Sequence, residues 1–151
     1  RPGSGWGKAL AQSEGRRSVY IFSKRSLAVP ELALLDAPNS TDSCSQRAVS
    51  TTGPQALTFL NGAFMTSRAA AVATRLLAEA GTAMPAQIEL AFRLAMCRPP
   101  TADELAMSIT FLSEQAKLPP NGTQPDKDPA RRALEALCLV LLNTNEFAYT
   151  R

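Results

Sequence analysis

Residues 98–118 read RPPTADELAMSITFLSEQAKL, and this stretch decides the fold class. The two prolines end whatever precedes them, because a proline lacks the backbone N–H and pushes the residue before it out of the α region. Thr101 then stands three residues before Glu104, the spacing of a capping box, in which each side chain satisfies the other's backbone N–H. Asp103 and Glu104 place negative charge against the positive end of the helix dipole. Leu105, Ile109, Leu112 and Ala116 recur at helical spacing as far as about Leu118. The result is a helix with its own start signal and an apolar stripe that must be buried.

The same reading extends both ways. Downstream, Pro119 to Asp128 (PPNGTQPDKD) is turn-rich and predicts a mobile surface loop over 119–128. Asp128-Pro129 offers an N-cap followed by proline in the first turn. Ala133, Leu134, Leu137, Cys138 and Leu141 follow at helical spacing, widened by Val140 and Leu142, and predict a central helix ending near Asn143. Upstream, Pro85 opens a helix with the stripe Ile88, Ala91, Phe92 and Ala95. Before it, Met65, Ala69, Val72, Leu76 and Ala80 share one face, and Gly81 ends that helix. Thr52 and Gln55 have capping-box spacing around Pro54, and Asn61-Gly62 offers a left-handed stop or a kink.

The first third is less regular. Pro30 opens a short helix through Leu35, stopped by Asp36-Ala37-Pro38-Asn39. Residues 39–53 are rich in Ser, Thr and Asn and read as a long ordered loop of the kind that has a purpose. Arg16 to Leu27 (RRSVYIFSKRSL) fits a buried short helix or an extended segment, and periodicity does not choose. Residues 1–15 read as an extended lead-in, the remainder of an upstream region, and the chain as a piece of something longer. No alternating strands of useful length occur. The expected architecture is all-α: an irregular helical bundle of four main helices plus short helices, forming one domain over 16–151 behind a long N-terminal extended or loop region.

Composition narrows the chemistry. The 151 residues carry 16 basic and 13 acidic side chains, a net charge of +3, too mild by itself to argue for nucleic acid or an anionic membrane. There is no histidine, which removes imidazole acid–base catalysis, histidine metal ligation and the Ser-His-Asp triad. The three cysteines, Cys44, Cys97 and Cys138, lack the spacing of a zinc knuckle, a redox pair or a haem attachment site. Cys97 and Cys138 read as small buried hydrophobes. No apolar run reaches the roughly 18 residues of a membrane span, and no signal peptide is visible.

Several stretches together resemble a known family. Arg16-Arg17-Ser18-Val19-Tyr20 with Lys24-Arg25-Ser26 looks like its opening signature. Asp36-Ala37-Pro38 looks like its DAP loop, followed by Cys44 and Arg47. Pro54-Gln55-Ala56-Leu57 with Leu60-Asn61, Arg98-Pro99-Pro100-Thr101 with Glu104, and Leu141-Leu142-Asn143-Thr144-Asn145-Glu146-Phe147 complete the series. In order, they resemble the planctomycete domain of unknown function numbered fifteen-fifty-three. The resemblance implies the C-terminal domain of a large exported or periplasmic bacterial protein, associated with a cytochrome-c-like domain. Any haem then belongs to a separate upstream domain, with no cofactor in this chain. Cys44 and Cys138 fall where the family often has cysteine, so export would allow a disulfide between them, stabilising by about 4 kcal/mol in the chain-entropy model. Cys97 stands where a glycine is usual and is expected to be a filler. Gly62-Ala63 replaces the usual Asp-Pro, so the helix is expected to run on more smoothly there.

The polar signature comprises Arg17, Asp36, Arg47, Gln55, Asn61, Arg98, Glu104, Asn143 and Glu146. Most stand at predicted helix ends, where such groups satisfy unpaired backbone. Glu146 is expected to need a cation, Arg17 or Arg47. No catalytic constellation and no metal site is complete. The expected function is therefore a non-catalytic helical module in structural packing or partner binding. Its partners are upstream domains of the same polypeptide or other protein subunits, not nucleic acid. The alternative is a carbohydrate-active or hydrolytic domain with a cleft between the 36–47 loop and the 143–146 helix end, using Asp36 and Glu146.

Overall fold

The structure is a computed structural model and describes residues 17–20, 30–38, 43–46, 50, 52–119 and 128–148. The lead-in over 1–15, Arg16, Lys24, Arg25, Arg47, most of the 39–53 loop and the 120–127 loop lie outside the described residues.

Among the described residues the chain is all-α: a 3₁₀ turn at Ser18–Tyr20, then α1 (Pro30–Leu34), α2 (Gly53–Asn61), α3 (Ala63–Ala80), α4 (Met84–Met96), α5 (Ala102–Lys117), α6 (Pro129–Leu142) and α7 (Asn145–Ala148). Contacts divide the chain into two compact units, Arg1–Gln55 and Ala56–Arg151.

In the first unit, α1 ends in a Schellman motif. The Ala37 N–H donates to the Leu32 carbonyl at 2.9 Å and the Asp36 N–H to the Ala33 carbonyl at 3.2 Å. This pattern needs a left-handed residue just past the helix. Asp36 supplies it with φ 56°; the short polar side chain of Asp makes it one of the few non-glycine residues that tolerate this region.

In the second unit, α6 is the central helix, packed along α3 on one side and α5 on the other, with α4 against all three. Leu76, Ile88, Leu134 and Cys138 are almost fully buried, between 0% and 1% exposed. Each of the three aliphatic side chains contributes about 1.5–3 kcal/mol on burial. Ala69, Ala73, Ala91 and Ala133 are buried beside them, and such small residues let helix backbones approach closely. Met65, Ala69 and Leu76 are buried on α3 and Val72 is partly so, while Arg68, Arg75 and Glu79 stay exposed.

The helix ends follow their sequence signals with two corrections. Thr101 and Glu104 form the complete capping box, Asp128 accepts the Ala130 N–H at 3.2 Å, and Gly81 ends α3 at φ 65°. The chain does not run smoothly past Asn61. Gly62 is extended, with φ −65° and ψ 134°, and separates α2 from α3. A Cβ at Gly62 would collide with the Thr58 carbonyl oxygen, so the break requires glycine for clearance rather than for a left-handed turn.

The second correction is Cys97, which is exposed and not a core filler. It is the first residue past α4, left-handed at φ 57° and ψ 21°, its N–H bonded back to the Arg93 carbonyl. A left-handed position of this kind favours glycine, which has no Cβ to crowd the backbone.

Candidate functional site

In the first unit the polar signature converges on Asp36. One of its carboxylate oxygens, Oδ2, accepts from the Ser50 backbone N–H at 2.8 Å, the Ser50 hydroxyl at 2.6 Å and Gln55 Nε2 at 3.1 Å. Gln55 is 5% exposed, and a buried amide must be satisfied. The two hydrogens on its Nε2 are shared among Asp36, the Leu34 carbonyl at 2.7 Å and Ser50 Oγ at 3.0 Å, while its Oε1 accepts the Thr52 N–H at 3.0 Å. That last bond is the returning half of the capping box expected at Thr52 and Gln55. One glutamine thus starts α2 and occupies a carbonyl at the end of α1. Ser50 had no motif to announce it. Arg17 lies at the start of the 3₁₀ turn, exposed, its carbonyl accepting the Tyr20 N–H at 3.0 Å.

In the second unit the signature converges on Arg98. Its guanidinium forks onto Glu104, Nη1 to Oε2 at 2.8 Å and Nη2 to Oε1 at 2.7 Å. The same group reaches Glu146, Nε to Oε1 at 2.8 Å and Nη2 to Oε2 at 2.9 Å. Its remaining donor on Nη1 goes to the Pro99 carbonyl at 3.1 Å. A guanidinium has five N–H donors in a planar fork, and every one is used. The group also lies 5.7 Å from the Phe92 ring centroid. The cation for Glu146 is thus Arg98, 48 residues away, where the sequence pointed to Arg17 or Arg47. The Glu146 side chain is about half exposed, at 48%.

The electrostatics follow from this geometry. Hydrogen bonds from Arg98, then from the Thr101 backbone, hold the Glu104 carboxyl down at about 2. Bonds to Glu104 and then Glu146 raise the Arg98 guanidinium further above its already high value. Glu104 is therefore an anion bound in a helix cap and does not act as a proton donor near neutral pH.

Asn143 closes α6. Its Nδ2 donates to the Leu139 carbonyl at 2.7 Å and across to the Phe59 carbonyl on α2 at 3.3 Å. Asn61 ends α2 with an exposed side chain. Thr144, outside the polar signature, starts α7 by accepting the Phe147 N–H on its hydroxyl at 3.4 Å. Of the pair suggested for a bridge, Cys44 belongs to the first unit and Cys138 to the second. Cys44 is exposed and its thiol donates to the Gln46 carbonyl at 3.2 Å. Cys138 is core, and burial pushes its thiol up to about 12. Of the cleft expected between 36–47 and 143–146, Asp36 belongs to the first unit, Asn143 and Glu146 to the second. No group of His, Cys, Asp or Glu suited to a metal occurs among the described residues.

Among the described residues the fold is all-α, and most of the described signature side chains lie at or beside helix ends. The chain belongs to the PSD1 family, described as "Protein of unknown function (DUF1553)", whose model matches residues 2–112. No curated protein and no solved structure matches the chain. Among the described residues, no helix is long and apolar enough to cross a membrane.

Proposed function

We propose that this chain is a non-catalytic helical module, the C-terminal part of a larger exported or periplasmic bacterial protein, serving packing or partner binding. The observation that carries the reading is the saturation of Arg98: all five donors end on Glu104, Glu146 and Pro99, leaving none for a ligand. The Asp36, Ser50 and Gln55 network supports it, since its donors and acceptors join a helix end to a helix start. In this reading the upstream domains of the same polypeptide are the first partners, and haem belongs to one of them.

Arg98→Lys is the test of the packing role. Lysine keeps the charge but loses the fork. The expected outcome is a lower melting temperature. Titration of the chain with oligosaccharides is the companion measurement. Saturable binding that Glu146→Gln or Asn143→Ala abolishes at unchanged melting temperature would overturn the reading. In the full-length gene, a leader peptide and a Cys-x-x-Cys-His motif upstream are the expected context.

A further inference from the structure

The second unit contains an open hollow that the packing and capping described above do not use. It has a volume of about 430 Å³ and is lined by side chains of α3, α4, α6 and α7, among them Ala71, Val72, Leu94, Leu142 and Phe147. That volume lies in the range of about 300–1,000 Å³ that holds small molecules.

The charged side chains in the lining are Arg68 and Arg75, both on α3. They differ in a way that orients a ligand. Arg75 is neutralised by Glu79 at 2.6 Å. Arg68 lies 5.3 Å from the Phe64 ring centroid and has no carboxylate partner among the described residues. Stacking on an aromatic face holds a guanidinium in place but leaves its charge and outer donors available. An apolar hollow with one uncompensated, positioned cation is complementary to an apolar body carrying a single anionic head.

We propose that this hollow binds a single-chain amphiphilic carboxylate, its alkyl chain between α3, α4 and α6 and its head on Arg68. The proposal is independent of the helix-end reading, which stands or falls on Arg98 and Glu146.

The test is calorimetric titration of the whole chain with tetradecanoate below its micellar concentration. One site per chain is expected. Affinity falls roughly two- to fourfold for each methylene removed toward decanoate, as burial of the chain requires. Arg68→Gln, a surface change, lowers affinity for the acid by about tenfold and leaves the methyl ester unaffected. Ala71→Trp fills the hollow from the exposed side of α3 and weakens acid and ester together. Absence of saturable binding overturns the proposal, as does equal loss of acid and ester in Arg68→Gln. Should Ala71→Trp fail to fold, the chain-length series and the Arg68→Gln pair decide alone.

Discussion

Within each of the two units the described contacts are of a different chemistry. In the first, the described contacts are polar and centre on one carboxylate: Asp36 gathers Ser50 and Gln55, and Gln55 joins the ends of two helices. In the second, apolar stripes on four helices bury Leu76, Ile88, Leu134 and their neighbours, and the charged cluster at Arg98 lies outside that core. The lesson is that one family signature has two jobs. Around Asp36 the described signature residues bond a helix end to a helix start; around Arg98 they seal the ends of segments that burial already holds.

The sharpest way to break this contrast is to remove one side chain from each region. Leu76→Ala, at a fully buried position, is expected to cost about 3 kcal/mol through lost transfer energy and the cavity left behind. Urea unfolding followed by circular dichroism measures it. A cost below 1 kcal/mol would mean that the second unit is not held by its core. Asp36→Ala comes next, at about 2 kcal/mol. It removes a charged acceptor from three donors and leaves alanine at positive φ. Hydrogen exchange at the Ser50 and Ala37 amides should show local opening, with the amides of α6 unchanged. Equal acceleration in α6 would contradict the difference drawn between the regions.

The helices of the second unit were legible because each carries local punctuation. Pro85, Pro129, Thr101 with Glu104, and Gly81 act within a few residues of themselves, so periodicity and caps place the elements without tertiary information. The partnerships were not legible. Glu146 meets Arg98 across 48 residues and Asn143 meets the Phe59 carbonyl across 84, and nothing local encodes such pairs. Ser50 was missed for the same reason, one serine in a serine-rich stretch. Gly62 and Cys97 were misread for another reason. The departure from the resembling family's Asp-Pro suggested continuity at the first, although Asn61-Gly62 itself read as a stop or a kink, and apolar neighbours suggested burial at the second; backbone geometry decides both.

A smaller effect tests the Arg98 cluster through pH. The folded Glu104 carboxyl is held at about 2 against an ordinary 4.5. A group depressed in the folded state stabilises above its unfolded value and loses that contribution as pH falls through the folded one. The cluster should therefore be at full strength above about pH 4.5 and fade toward pH 2. Melting temperatures of the wild-type chain should fall across this window, and Glu104→Gln should flatten the fall. An identical acid profile in Glu104→Gln would show that the pair with Arg98 adds nothing to stability, as is common for exposed ion pairs.

The smallest expected effect is a gain. Cys97 holds φ at 57° just past α4, a region that costs a residue with a Cβ about 1–2 kcal/mol. Glycine removes that cost but enlarges the conformational freedom of the unfolded chain, which takes back part of the benefit. Cys97→Gly should therefore stabilise by about 0.5–1 kcal/mol, and Cys97→Ala, which keeps the Cβ, should not. The pair of variants separates two explanations of the site. If glycine and alanine raise the urea midpoint equally, the thiol itself is the liability. A gain from glycine alone assigns the effect to the left-handed turn that carries the chain from α4 into Arg98 and the capping box beyond it.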